Sequence, residues 1–374
     1  MPIKFPGPNA PCWCGSGQKF KKCHRNRQEQ EPESPWIAVE TIRKAFQFKK
    51  CSADGGALGA CSGKIIHAHT VSRGANLAKI ARNGKVVTYG GGYDVLEKSG
   101  GKLVPKEVGI NQASTFNGFC AGHDARLFSC VENNEFSGRP DQCLAIAYRN
   151  LSRDLYAKDA AAAMQDALRG SDKGRSLQEQ VAIQKQLTIA NFGNDLARGE
   201  LRASHDKVTR ALAANNAGVL RTLIVECQDM LPFMTASAWS PINDLWGKEI
   251  QPAWNDAVLE QIFLSTFLGN DKSFVCLSWL EVDPAPGQII ADQITSLPAT
   301  TQLNALLQFA VKHAENVFFS PAWFEALPVA ERTFLDSLAA DGLAEMGITP
   351  KVPLRVELNF NLPPSRAAYY AGTT

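Results

Sequence analysis

The sequence predicts a multidomain α+β protein, and three observations predict it. Cysteines and histidines crowd two stretches, 12–24 and 51–123, that carry little apolar periodicity. From 141 to 216 apolar residues recur at helical spacing. Beyond 216, short apolar runs and one alternating run mix with helical ones, which is an α+β pattern. By segment, the expectation is a metal-held knuckle at 1–27, a linker at 28–35 and a second metal-stabilised domain at 36–140. A helical region follows at 141–216, then an α+β domain at 217–374 for partner binding or sensing.

Each element rests on its own pattern. Residues 1–27 are rich in Gly, Pro, Cys and Lys and cannot bury a core, so something other than apolar packing must hold them. Gln28 to Pro35 is polar with two prolines, a linker signature. Trp36, Val39, Ile42, Ala45 and Phe46 predict an amphipathic basic helix over Trp36–Lys50. Strands are predicted at Lys64–Val71 and Gly84–Tyr89, with a loop at Gly90-Gly91-Gly92. The Gln-, Lys- and Arg-rich stretch 141–216 predicts a helical hairpin or bundle. LRTLIVECQ (220–228) and KSFVCLSWLEV (272–282) are apolar runs suited to buried strands, and VPLRVELNFNL (352–362) alternates like a half-buried strand. Helices are predicted at Ala257–Leu268, Gln302–Val317 and Pro328–Ala344.

Composition excludes several classes. The 374 residues are 45% hydrophobic and 20% charged, which excludes a mostly disordered or collagen-like chain. No apolar run approaches the ~18–20 residues of a membrane helix, and MPIKFPGPNAPCW has no stretch resembling a secretory signal. The expectation is therefore a cytoplasmic protein without a membrane partner. Ten cysteines in a reducing compartment point to metal or packing roles before disulfides. Basic residues outnumber acidic ones over 1–110, and the reverse holds over 151–374. A basic front favours a polyanionic partner such as nucleic acid.

PCWCGSGQKFKKCH sets Cys12, Cys14, Cys23 and His24 within one short segment. Three thiolates and an imidazole satisfy tetrahedral zinc, and Gly15-Ser16-Gly17 lets the backbone fold back on itself. Because the segment lacks a core, metal binding would be its folding energy, on the order of 10 kcal/mol. This stretch resembles the SEC-C motif over residues 10–27, with the four ligands, the glycine turn and the Lys19-Phe20-Lys21-Lys22 segment at matching positions and Trp13 where a smaller residue is common. The resemblance implies recruitment of a protein partner or the ribosome rather than catalysis.

Between 51 and 124 stand Cys51, Cys61, His67, His69, Cys120 and His123, spaced C-x9-C-x5-H-x-H and then C-x2-H-D. A close C-x2-H pair completed by distant cysteines predicts a second structural zinc on Cys51, Cys61, Cys120 and His123. His67 and His69 alternate onto one face of a strand, and whether His67 is a ligand stays open. The stretches CSGKIIHAHTVSR and NGFCAGHD resemble a divergent HNH endonuclease, a ββα-metal fold of treble-clef type. The resemblance implies His69 as the water-activating base, although Ser72 or Arg73 replaces the usual proline. It also implies Asp124 as a ligand for a catalytic Mg²⁺ or Mn²⁺. Asn117, or alternatively Asn111, would be the middle residue of the motif. Lys64, Arg73, Lys79, Arg82 and Lys85 lie close to the two histidines in sequence and are candidates to track a phosphate backbone.

The expected function is a zinc-stabilised nuclease with a recruiting knuckle, suited to bacterial phage defence. The competing expectation is a non-enzymatic zinc adaptor. GALGACSGK fails as a phosphate loop, since Leu58 stands where Gly belongs and Ile65 follows Lys64. His205 and His313 are expected at surfaces or between helices, and Cys130, Cys143, Cys227 and Cys276 as packed thiols. The acidic residues 217–374 are expected to bind a protein partner or to form a homo-oligomer.

Overall fold

The fold is described from a computed structural model covering residues 6–53, 55–90, 103–252, 258–282, 285–343 and 352–372. Gly91, Gly92, Ala257 and Ala344, which belong to elements expected from sequence, lie outside those residues. The chain mixes helix and sheet and falls into two compact units. The first is 1–48 with 157–198, and the second is 49–156 with 199–374. Among the described residues no helix is long and apolar enough to cross a membrane.

The first unit holds the cysteine-rich segment, helix α1 (Pro35–Ala45) and parts of two long helices. Those parts are the end of α3 (Pro140–Leu168) and the start of α4 (Leu177–Ala213), joined through a turn at Arg169–Asp172. Helix α1 starts on Pro35, whose missing N–H costs nothing in a first turn, and ends five residues before the expected Lys50. Helix α4 starts on a reciprocal cap: the Ser176 N–H donates to Glu179 Oε2 at 2.9 Å, and the Glu179 N–H donates to Ser176 Oγ at 3.4 Å.

The second unit contains two sheets. A small antiparallel pair joins β1 (Ile65–His69) to β4 (Thr115–Cys120), and helix α2 (Ala121–Leu127) follows β4 directly. The large sheet has eight antiparallel strands, adding β2 (Lys85–Tyr89), β3 (Pro105–Gly109), β5 (Leu220–Cys227), β6 (Phe233–Trp239), β7 (Ile262–Leu268), β8 (Ser273–Leu280), β9 (Val317–Phe319) and β10 (Ser365–Tyr370). Their order is β10-β5-β8-β7-β6-β9-β2-β3, so two strands from the 36–140 stretch pair onto six from 217–374.

Both faces of this sheet are covered, which explains the unbroken apolar runs of β5 and β8. On one face Leu223, Val225, Leu277 and Trp279 pack with Ile290 of α5 (Pro286–Ser296) and Leu306 of α6 (Ala299–His313). On the other, Ile224, Phe274 and Cys276 meet Cys143 and Ile146 of α3. Helix α3 enters through Gln142, whose amide oxygen accepts the Ser137 N–H at 3.0 Å and whose amide nitrogen donates to the Cys130 carbonyl at 2.9 Å.

Two expectations change. The helix expected over Ala257–Leu268 is strand β7, because IFLSTFL is a short apolar run that periodicity cannot assign, and here β6 and β8 supply ladder partners on both sides. The strand expected at 352–362 is not a strand. Its burial alternates as the sequence requires, but its backbone is satisfied by side chains: the Gln308 amide oxygen accepts the Arg355 N–H at 2.7 Å and its amide nitrogen donates to the Arg355 carbonyl at 3.0 Å. Helices α7 (Pro321–Ala326) and α8 (Val329–Leu343) complete this end, with the Trp323 indole donating to the Phe360 carbonyl at 2.9 Å.

His205 sits between helices, as expected. It is buried against Tyr148, with Nε2 at 3.1 Å from Ser152 Oγ, and burial lowers its pKa to about 4. An unfolded chain binds that proton near 6.5, so the stabilisation is full above pH 6.5 and is lost as pH falls toward 4. The expected loss is roughly 3 kcal/mol, measured as the shift in urea midpoint between pH 7 and pH 4.5. His205→Gln should flatten the slope, and an unchanged slope would refute the assignment.

Candidate functional site

The first cluster is built by a tight turn. The Cys12 N–H donates to the Gln18 carbonyl at 2.8 Å and the Phe20 N–H to the Ala10 carbonyl at 2.9 Å. Gly15 and Gly17 turn the chain at φ of 75° and 71°, a region open to glycine. Phe20 is buried against Cys12 and Cys14, and the single turn Phe20–Lys22 delivers Cys23 and His24. Cys12 Sγ lies 3.3 Å from His24 Nδ1, Cys23 Sγ lies 3.1 Å from it, and Cys14 Sγ lies 3.6 Å from Cys23 Sγ. A zinc tetrahedron with ~2.3 Å bonds has edges of about 3.7 Å, so the donor set fits the ion. Burial pushes the Cys12 thiol up to about 12, whereas Ser16 and the neighbouring thiols outweigh burial at Cys14 and bring it down to about 7. A cation held between them would deprotonate all three sulfurs.

Behind this cluster, still in the first unit, lies Asp172. His24 Nε2 donates to Asp172 Oδ2 at 2.7 Å, Arg27 Nε to Oδ1 at 2.6 Å and Gln184 Nε2 to Oδ2 at 2.8 Å.

The second cluster joins Cys51, Cys61, Cys120 and His123, whose ligand atoms all lie within 4.8 Å of one another. Cys120 ends β4 and caps α2, its Sγ accepting the N–H groups of Ser62 and His123 at 3.4 Å each. The Ser62 side chain and those two N–H groups outweigh burial and bring its thiol down to about 5. His123 Nδ1 faces Cys51 Sγ at 3.3 Å and Cys120 Sγ at 3.2 Å, while its Nε2 donates to the Gly59 carbonyl at 3.1 Å. Gly59 has φ of 89°, a conformation that other residues rarely adopt, and a Cβ there would press on the Arg126 guanidinium at 2.9 Å. The pairing of Ile65 with Cys120 carries the segment after Cys61 alongside the other ligands.

His69 ends β1, half-buried, with Nε2 donating to the Ile110 carbonyl at 3.1 Å. Burial first, then the positive Arg73, lowers its pKa. Asp124 follows His123 on α2. Burial raises its carboxyl, opposed by the charges of Arg149 and His69. The charges of Arg149 and Glu132 act on both His69 and Asp124. Arg149 donates to Glu132 at 2.7 Å with its guanidinium 3.9 Å above the Phe128 ring. Beside them is a cavity of about 300 Å³ lined by Thr70, Ser72, Glu132, Arg149, Thr235 and Phe267.

The remaining candidates fall in different surroundings. His67 is exposed at the bulge in β1. Asn117 is buried against Tyr156, its carbonyl accepting the Lys50 N–H at 3.2 Å. Asn111 is exposed and accepts from Arg73 at 3.1 Å. Lys64 and Arg73 are exposed. Lys79 is spent on the Gly269 carbonyl at 2.8 Å, Arg82 pairs with Glu325 at 2.6 Å and Lys85 with Glu107 at 3.3 Å. Glu132, Arg149 and Asp172 were not legible as site residues, because no spacing links them to the ligands.

Residues 9–26 match the SEC-C motif. No curated protein and no solved structure shows a match to this chain.

Proposed function

We propose that the chain is a zinc-stabilised, HNH-like nuclease cleaving nucleic-acid phosphodiesters, with its SEC-C segment recruiting a protein partner. The observation that carries the reading is one strand–strand–helix unit, β1–β4–α2, beside a Cys₃His cluster, with His69 at the end of β1 and Asp124 in the first turn of α2. That arrangement is what a ββα-metal fold of treble-clef type would use.

The chemistry follows from the side chains. Because His69 Nε2–H is engaged by Ile110, Nδ1 carries the free lone pair, and burial keeps the ring neutral near pH 7. His69 Nδ1 takes the proton of an attacking water. The Asp124 carboxylate would be the residue that holds Mg²⁺ or Mn²⁺ through an oxygen. A bound divalent ion would neutralise charge developing on the scissile phosphate. Lys64 and Arg73, exposed near β1, contact neighbouring phosphates, and Asn111 holds Arg73 in place.

A second reading, a non-enzymatic zinc adaptor, draws support from Lys79, Arg82 and Lys85, each of which is committed to a protein acceptor. Plasmid and RNA cleavage assays in Mg²⁺ and Mn²⁺ separate the two. His69→Ala should lower the cleavage rate ~10²–10⁴-fold while both clusters keep their zinc. The wild-type rate should hold below pH 6.5 and fall as pH drops through the lowered His69 pKa, because only the neutral ring accepts a proton. If the zinc-loaded wild-type protein never nicks DNA or RNA, the adaptor reading replaces the nuclease.

A further inference from the structure

The two clusters present their histidines the same way but back them differently. In each, Nδ1 faces the thiols and Nε2 points outward. Behind His123 the outward nitrogen meets a neutral acceptor, the Gly59 carbonyl at 3.1 Å. Behind His24 it meets a carboxylate, Asp172 Oδ2, at 2.7 Å.

Asp172 is an unusual residue to find there. It is fully buried and stands 148 positions after His24. A carboxylate removed from water is costly unless donors fill its lone pairs. Three do: His24 Nε2, Arg27 Nε and Gln184 Nε2. The surrounding turn is tied to the same segment, since the Arg169 carbonyl accepts Arg27 Nη2 at 2.8 Å and Gln184 Nε2 at 2.9 Å. Arg169 in turn donates to the Cys14 carbonyl at 3.3 Å. The Gly174 N–H donates to the Arg27 carbonyl at 3.0 Å.

We propose that Asp172 is the outer-sphere carboxylate of the N-terminal metal centre, positioning His24 and coupling metal loading to the turn between α3 and α4. A carboxylate on the distal nitrogen keeps the proton on Nε2 and the lone pair on Nδ1. It orients the ring and makes it a stronger ligand. Arg27 offsets the added negative charge beside a thiolate-rich cluster. The knuckle is then no free-standing tail: its ligand His24 and the turn at Arg169–Asp172 order together. This inference stands apart from the nuclease reading and needs no activity to test.

The experiment is chelator competition on the full-length, zinc-loaded protein, following release of each ion. Asp172→Asn keeps the shape and removes the charge. It should weaken one site by 10–100-fold and leave the other, backed by Gly59, unchanged. The decisive comparison repeats Asp172→Asn in a His24→Cys background, where the thiolate has no distal nitrogen to orient. There the penalty should vanish; an equal penalty in both backgrounds would show that Asp172 merely props the turn, and would overturn the proposal. If Asp172→Asn fails to fold, ¹⁵N NMR of the zinc-loaded wild-type decides. An exchange-protected Nε2–H on His24 supports the positioning role, and an Nε2–H that exchanges freely with water overturns it. Stripping zinc from the wild-type should also speed amide exchange over 169–176, and unchanged exchange there would remove the coupling.

Discussion

Cys120→Ser is expected to strip one metal ion per chain and melt the β1–β4–α2 unit. Three roles converge on this sulfur. It belongs to the Cys₃His cluster, it caps α2 through the His123 N–H, and it accepts the Ser62 N–H from the loop before β1. A structural zinc contributes ~10–16 kcal/mol to folding its module. A hydroxyl is a poor ligand, so the loss should exceed about 5 kcal/mol. Amides of 65–69 and 115–120 should lose exchange protection, and metal analysis should fall from two ions to one. Cys130→Ala removes a thiol outside both clusters and should keep both ions. If Cys120→Ser retains two ions, the second cluster is not a metal centre, and the nuclease reading loses its scaffold.

Trp279→Ala should cost ~3–5 kcal/mol, read as a lowered urea midpoint with the metal content unchanged. Trp279 is 1% exposed on β8, paired to Arg221 of β5 and Ile262 of β7, so it lies in the interior of the large sheet. Helix α5 approaches it so closely that a Cβ on Gly287 would stand 2.4 Å from the indole Cγ. Among the described residues the indole N–H has no hydrogen-bond partner, so the substitution removes volume and strands no polar atom. Gly287→Ala should overpack the same contact by ~1–3 kcal/mol. That penalty should shrink when Trp279 is already Ala, because the two share one space. Additive penalties would mean that α5 does not rest on Trp279.

The legibility of each part tracks how local its physics is. Cys12, Cys14, Cys23 and His24 could be read directly, since a coreless segment with three thiols in so short a span has few other ways to hold a shape. Cys51, Cys61, Cys120 and His123 were readable as a set, although the pairing of β1 with β4 is what joins them. The sequence of β7 did not declare itself, because an apolar heptad suits a strand or a helix until neighbouring strands supply a ladder. Residues 352–362 alternate correctly and still form no strand, since Gln308 on α6 takes the place of a partner strand. Lys79, Arg82 and Lys85 looked alike in the sequence, and only the fold commits each to its acceptor.

What the sequence determined by itself is therefore the inventory of soft ligands, their grouping into two sets of four, and the basic front against the acidic back. Those are properties of residue type and short spacing, and they survive any folding of the rest. Tertiary structure alone decided that His123 leans on a neutral carbonyl and His24 on a buried carboxylate from another helix turn. It also decided that Arg149 pairs with Glu132 and that His69 leans on the Ile110 carbonyl. Contacts between distant positions are selected by packing, and packing leaves no period in the chain for spacing to reveal.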